Sequence, residues 1–377
     1  MRSLSLLVKP VSGLCQYRCA YCFYQDVMAH RENAMTGIMS EETLETMVRR
    51  AMACAEGSVT FAFQGGEPTL AGLDFFQKLM EMEKRYKKST LYVSNSIQTN
   101  GGNIDDEWAE FLAQNHFLVG LSMDGYADLH DKYRVDAAGK GTFSRAVQAA
   151  ETMKRHGVDF NALCVVNSES AAHPEEVYEA LRPYRFIQFI PCIDDFDSKE
   201  ARFAPSAEAL GQFLIRTFDL YRRDILAGEY TSVRIFDNYL QMLIGHRPEI
   251  CAMNGRCSCS LVIEADGSAY PCDFYVLDSW KLGNVLTHSF TELQNSDRAK
   301  EFIASSAYMD PACRKCAHYS MCRGGCRRDR EPFDGFGRPA LNKYCEGYRA
   351  FFEARGKQLR ELAQTIMTME IGREGKK

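Results

Sequence analysis

At 377 residues, with 46% hydrophobic and 25% charged residues, the chain is long enough to bury a sizeable core and has the composition of a globular protein. A formal net charge of -5 gives no electrostatic reason to expect a nucleic-acid partner, and short basic runs such as Arg327-Arg328 do not change that. The apolar stretch from Leu4 to Val8 is too short for a signal peptide or membrane span, so the fifteen cysteines are expected in the reducing cytoplasm, where thiols serve as metal ligands more often than as disulfides.

Residues 3–9 read as a strand, and the loop after it holds Cys15, Cys19 and Cys22 in a Cys-x3-Cys-x2-Cys triplet. A structural zinc site or a ferredoxin-type cluster is closed by four protein ligands, so three thiolates on a 4Fe-4S cluster leave one iron open for chemistry. The competing reading is a zinc knuckle completed by a distant histidine such as His30. Ser40 then caps a helix with Glu41 and Glu42 in its first turn and an apolar stripe of Leu44, Met47, Val48, Ala51 and Met52, ended by Gly57.

The same alternation continues with a strand at 59–63, helix 74–86, strand 91–98, helix 105–115, strand 117–122, helix 142–156 ending at Gly157, strand 158–166, helix 174–184, strand 186–190 and helix 206–227. Six βα units predict an α/β fold with a parallel sheet, better suited to a partial (βα)6 barrel than to a closed eight-stranded one. Such a fold places its site at the C-terminal ends of the strands. The unusual polar segments fall there: the cysteine triplet, Gln64-Gly65-Gly66-Glu67-Pro68, Gln98-Thr99-Asn100-Gly101 and Ser122-Met123-Asp124-Gly125.

From about residue 236 the alternation stops, dividing the chain into a core at 1–235 and a cysteine-rich extension at 236–377 with a closing helix from Tyr344. The extension opens with Cys251-x5-Cys257, followed by a hairpin-like stretch at 261–270 with an Asp266-Gly267 turn and then Cys272. Cys313-x2-Cys316-x5-Cys322-x3-Cys326 and Cys345 complete it. Eight ligands make two four-thiolate clusters with no open iron, suited to electron transfer and hence to an oxidation; two zinc sites are the alternative. Cys54, Cys164, Cys192 and Cys259 read as ordinary buried residues, although Cys259 also competes with Cys257 as a ligand. The whole points to an oxygen-sensitive cytoplasmic enzyme.

The triplet, with Tyr21 before Cys22, resembles the radical S-adenosylmethionine (SAM) superfamily. The resemblance implies that the open iron chelates the methionine end of SAM and that one electron yields a 5'-deoxyadenosyl radical. It also implies SAM contacts at Tyr21, at Gly65, Gly66 and Glu67, at Ser122 and Arg134, and at Ile193. A hydroxyl and a guanidinium fork suit a carboxylate, and Ile193 offers only packing. The cysteine field resembles the SPASM extension of peptide- and protein-modifying members. It implies one auxiliary cluster on Cys251, Cys257, Cys272 and Cys326 and a second on Cys313, Cys316, Cys322 and Cys345, giving three 4Fe-4S clusters in all.

Cys272-Asp273-Phe274-Tyr275 places a carboxylate next to a cluster ligand, where it either caps the turn after the strand or accepts a proton from a substrate hydroxyl or thiol. With Cys22-Phe23-Tyr24, Phe63-Gln64-Gly65-Gly66-Glu67-Pro68 and Gly120-Leu121-Ser122-Met123-Asp124-Gly125, this run resembles anaerobic sulfatase-maturating enzymes over nearly the whole chain. That family oxidises a Cys or Ser of a sulfatase to Cα-formylglycine. The resemblance implies Asp273 as proton acceptor, Tyr24 and Gln64 in the substrate pocket, and an unfolded sulfatase or peptide with a Cys/Ser-x-Pro/Ala-x-Arg motif as partner. It further implies an external electron donor such as flavodoxin or ferredoxin, with no nucleic acid and no membrane. Two rival readings are a peptide maturase forming thioether or carbon-carbon crosslinks and a non-catalytic iron-sulfur carrier.

Overall fold

The structure, a computed structural model, describes residues 1–198 and 200–374. Ser3–Val8 (β1) leads through Phe23–Ala29 (α1) and Glu41–Cys54 (α2) to Ser58–Phe63 (β2), Leu73–Tyr86 (α3), Tyr92–Thr99 (β3), Asp106–Gln114 (α4) and Leu118–Ser122 (β4). Next come Ala127–Tyr133 (α5), Phe143–His156 (α6), Phe160–Val166 (β5), Pro174–Leu181 (α7), Phe186–Pro191 (β6) and Ala207–Leu226 (α8). The six expected strands and their following helices are present.

The helix starts follow their capping chemistry. Ser40 accepts from the Thr43 backbone N–H at 3.1 Å, Asp105 from that of Trp108 at 2.9 Å and Ser206 from that of Ala209 at 3.0 Å. Gly157, at φ +70°, ends α6 in the left-handed conformation that a side chain would resist.

Beyond α8 lie Ser232–Val233 (β7), Arg234–Leu243 (α9), Val262–Ile263 (β8), Ser268–Tyr270 (β9) and Gly283–Asn284 (β10). Short helices follow at Phe290–Asn295 (α10), Asp297–Ser306 (α11), Pro311–Arg314 (α12) and Tyr319–Cys322 (α13), and the chain closes on Cys345–Glu374 (α14). No helix among the described residues is long and apolar enough to cross a membrane.

The residues form two compact units, Met1–Met123 with His130–Ala162 and Ser258–Ala304, and Asp124–Leu129 with Leu163–Cys257 and Ser305–Lys377. In the first, the sheet order is β10-β9-β8-β1-β2-β3-β4, with β1 through β4 parallel and in register, Leu6 opposite Phe61 and Phe61 opposite Asn95. Leu4, Leu6 and Val8 alternate inward from β1, and Phe63, Phe75, Phe76, Trp108, Phe111 and Phe117 form an aromatic core.

The hairpin read from Asp266-Gly267 is β8 and β9. Its placement was not foreseen: β8 runs parallel to β1, with the Leu7 N–H donating to the Leu261 carbonyl at 3.1 Å and the Lys9 N–H to that of Ile263 at 2.8 Å. The edge of β1, which would otherwise expose unpaired N–H and C=O groups, is thereby covered.

In the second unit β6 pairs parallel with β7, and α14 packs along α8. The two helices cross where Gly347 lies against Gly211; a Cβ on Gly347 would fall 2.0 Å from the Ala207 carbonyl oxygen. Phe351 fills the space beside Phe218, Phe236 and Tyr239, and Arg355 pairs with Asp219 through two hydrogen bonds of 2.6 and 2.7 Å.

Candidate active site

Asp273 opens a single 3-10 turn, Asp273–Tyr275, directly after Cys272 and the β9 strand. Its Oδ2 accepts from the Tyr24 phenol at 2.7 Å and from the Gln64 amide at 2.8 Å, and Gln64 also donates to the Tyr24 oxygen at 2.9 Å. Tyr24 comes from the first turn of α1 and Gln64 from the residue after β2, so three separate segments converge on one carboxylate. Oδ1 is buried and has no hydrogen-bond partner among the described residues. Burial raises the Asp273 pKa, with Lys9 and the Tyr24 hydrogen bond opposing the rise. The carboxylate is thus a stronger base than an exposed aspartate, with Oδ2 held by two hydrogen bonds and Oδ1 accepting none among the described residues.

Lys9, 2% exposed at the end of β1, puts its Nζ 4.0 Å from Asp273 Oδ1, 3.4 Å from Glu264 Oε1 and 4.2 Å from the centre of the Tyr24 ring. Arg31 donates to Glu264 Oε1 at 2.9 Å and Thr36 to Oε2 at 3.0 Å. Burial works against the charge on Glu264, but Lys9 and Arg31 outweigh it and hold its pKa below the usual range. These buried charges were missed in the sequence, where each reads as a surface residue. The available signal was Lys9 immediately after a wholly inward-alternating apolar strand.

The triplet loop lies in the same unit. Cys15 bears electrostatically on Cys19 and Cys22, and burial pushes its thiol up to about 12. The Tyr17 N–H and the Asn100 side-chain amide reach Cys15 Sγ at 3.4 and 3.6 Å. Burial likewise raises Cys22, with Arg134 and Lys9 among the charges that oppose it. Arg134, itself buried, stacks its guanidinium over the Tyr21 ring at 5.4 Å. Buried thiols that resist ionisation alone but face donors and cations suit a positively charged iron cluster, which stabilises the thiolates.

The Gly65-Gly66 turn packs on this loop. A Cβ on Gly66, at φ +52°, would fall 2.2 Å from the Leu14 carbonyl oxygen, and one on Gly65, at φ +89°, 2.4 Å from Lys9 Cε. Glu67 points into the protein: Oε1 accepts from the Thr69 N–H at 3.2 Å, the Thr69 hydroxyl at 2.7 Å and the Thr99 hydroxyl at 2.8 Å, and Oε2 from the Asn100 N–H at 2.8 Å. Its carboxylate therefore ties the β2 and β3 loops together. Ser122, 7% exposed, ends β4 in the same unit, whereas Ile193 lies in the second unit, two residues past β6.

The second unit holds Cys251, Cys257 and Cys326 and all of Cys313, Cys316, Cys322 and Cys345, while Cys272 belongs to the first. Cys322 is pushed up to about 11 by burial and bears electrostatically on Cys345, Cys313 and Cys316, so those four form one group. Cys257 bears on Cys251 and lies near Arg327, the neighbour of Cys326. Cys259, in the first unit, is hydrogen-bonded with the Leu261 backbone. Among the described residues no three His, Cys, Asp or Glu side chains are spaced to hold a single metal ion.

Residues 10–181 match the radical SAM superfamily, and residues 251–317 match an iron-sulfur cluster-binding domain, SPASM. The chain is 44% identical to a cysteine-type anaerobic sulfatase-maturating enzyme of Clostridium novyi, across 97% of this chain and 99% of that one. It is 32% identical to a serine-type anaerobic sulfatase-maturating enzyme of Bacteroides thetaiotaomicron, across 93% and 89%. A solved structure described as native anSMEcpe with bound AdoMet and Cp18Cys peptide superposes with a TM-score of 0.92 at 43% identity, covering 97% of this chain and 99% of that one.

Proposed function

The chain belongs to the anaerobic sulfatase-maturating enzymes of the radical SAM superfamily, and from that membership we propose that it oxidises a cysteine side chain of a sulfatase to Cα-formylglycine. Cysteine is favoured over serine because the cysteine-type relatives share 43–44% identity and the serine-type relative 32%. The observation that carries the reading is Asp273, whose Oδ2 is fixed by Tyr24 and Gln64 while Oδ1 is buried without a hydrogen-bond partner.

In this reading Cys15, Cys19 and Cys22 hold the SAM cluster. Cys251, Cys257, Cys272 and Cys326 hold one auxiliary cluster, and Cys313, Cys316, Cys322 and Cys345 the other. Tyr21, the Gly65-Gly66 turn, Ser122, Arg134 and Ile193 contact SAM, and Glu67 contributes by fixing that turn. When bound, SAM and the 4Fe-4S clusters supply the 5'-deoxyadenosyl radical that takes the substrate Cβ hydrogen and accept the electron left behind.

Asp273 takes the thiol proton through Oδ1, so that a carbon-sulfur double bond forms as the proton leaves; water then replaces sulfur, released as hydrogen sulfide, to give the aldehyde. Tyr24 and Gln64 line the pocket and hold the carboxylate at a fixed angle. Lys9 compensates the charge on Asp273 before the proton arrives. The peptide partner carries a Cys-x-Pro-x-Arg-like motif, the electron donor is a flavodoxin or ferredoxin, and the enzyme works in the cytoplasm. The radical-generating core spans 1–235 and the auxiliary-cluster extension 236–377. Replacing Asp273 by Asn should leave SAM cleavage measurable while aldehyde falls sharply; full aldehyde formation by that variant would remove Asp273 from the mechanism.

A further inference from the structure

Asn100 stands just beyond β3 and touches the triplet loop through both ends of its side chain. Its Oδ1 accepts from the Gly102 N–H at 2.8 Å and from Gln16 Nε2 at 3.3 Å. A backbone N–H can only donate, so these contacts decide which end of the amide is oxygen. The NH2 end is therefore turned to Cys15 Sγ, at 3.6 Å, and to Gln16 Oε1, at 3.4 Å. The backbone of Asn100 is held in turn by Glu67 Oε2 at 2.8 Å. Gly102 permits the close approach: a Cβ there would lie 3.0 Å from Asn100 Oδ1, 2.8 Å from Gln16 Nε2 and 2.7 Å from the Tyr17 hydroxyl.

We propose that Asn100 is a positioning residue for the cluster held by the triplet: its amide donates to the Cys15 sulfur and raises that cluster's reduction potential. The inference rests on the reading that Cys15, Cys19 and Cys22 hold a 4Fe-4S cluster. One-electron reduction adds negative charge to the iron-sulfur unit and its thiolates. An N–H directed at a ligating sulfur disperses part of that charge, so it stabilises the reduced state more than the oxidised one. Glu67 serves the same end from one bond further out, because it fixes the backbone from which the Asn100 amide reaches. The buried carboxylate of the Gly-Gly-Glu turn thereby acts on the redox centre through Asn100.

The test is an EPR-monitored redox titration of the full-length, cluster-loaded chain, following the reduced signal that changes when SAM is added. In Asn100→Leu the ratio of reduced to oxidised cluster at the wild-type midpoint should fall about tenfold, equivalent to about 59 mV for a one-electron couple. An unchanged midpoint at full iron content would overturn the proposal, since a purely structural asparagine has no reason to set the potential. Should the Leu chain lose iron, wild-type protein labelled with 15N in its asparagine side chains decides the matter. Pulsed EPR should detect a 15N coupling on the SAM-responsive signal, and its absence overturns the proposal. A wild-type chain with no SAM-responsive signal at all would instead overturn the cluster assignment on which the proposal stands.

Discussion

Tyr24 and Asp273 are 249 residues apart in sequence, and the Tyr24 phenol donates to Asp273 Oδ2 at 2.7 Å. The contact joins the helix that follows Cys22 to the turn that follows Cys272, so Tyr24 lies two residues and Asp273 one residue past a cysteine proposed as a cluster ligand. Gln64 shares the same acceptor, which makes the three side chains one unit. Tyr24→Phe and Gln64→Leu each remove a donor to a charged acceptor, a loss of about 1.5–3 kcal/mol. Anaerobic kinetics should show kcat/KM for aldehyde formation falling roughly ten- to hundredfold in either variant. The double variant should lose less than the product of the two, since both donors serve one oxygen.

Gly66→Ala should strip the triplet loop of its iron. The added methyl would meet the Leu14 carbonyl oxygen at 2.2 Å, one residue before Cys15, on a backbone already at φ +52°. Iron per chain should fall relative to wild type. Gly335→Ala, which meets no atom within 4 Å, is the matched control and should keep full iron content.

Stability should fall as pH rises from about 4.5 to about 7 because of one buried carboxylate. Burial pushes the Glu83 pKa from 4.5 up to about 7, and Glu83 Oε1 and Asn95 Oδ1 both lack partners among the described residues. Below about 4.5 the group is neutral in both folded and unfolded chains. Between the two values only the unfolded chain releases the proton, which favours unfolding, and above about 7 the penalty is complete. Glu83→Gln should flatten this dependence and raise stability at pH 8 by on the order of 2–3 kcal/mol, read from denaturant midpoints under anaerobic conditions.

The buried Arg330 should be among the costliest residues to remove from the cysteine field. Its guanidinium donates to the carbonyls of Ser306, Tyr308 and Ala340. Arg330→Met leaves three acceptors without their donor and should cost at least about 3 kcal/mol, with reduced iron at the Cys313 group nearby. Arg349→Met removes an exposed pair with Glu346 and should change stability by less than about 1 kcal/mol.

The alternating strands and helices were legible because their apolar periods differ, and the cysteine-rich segments stood out because their thiols crowd together in sequence; spacing alone did not divide them into ligand sets. Asp273 drew attention in the sequence through its place beside Cys272, but its contacts with Tyr24 and Gln64 left no sequence signal. What stayed hidden depended on long-range pairing. The hairpin of β8 and β9 was readable from its Asp266-Gly267 turn, but its pairing on the β1 edge leaves no local mark, because β8 offers only two residues to that partner. The basic run Arg327-Arg328 reads as a charged surface stretch, yet both side chains are buried. Their guanidinium groups lie over Phe333 at 4.4 Å and Phe196 at 3.9 Å, contacts that only tertiary structure creates. Glu67 read as a ligand-facing carboxylate because its turn was recognisable; that its oxygens serve Thr69, Thr99 and Asn100 was not.

The most direct test of the central claim is mass spectrometry of a Cys-x-Pro-x-Arg peptide after anaerobic incubation with the cluster-loaded chain, SAM and a reductant. Conversion to formylglycine predicts a peptide that has lost two hydrogens and exchanged its sulfur for oxygen, and that reacts with an aldehyde-selective hydrazide. A peptide that loses two hydrogens, keeps its sulfur in a new crosslink and gives no hydrazide adduct would contradict the account.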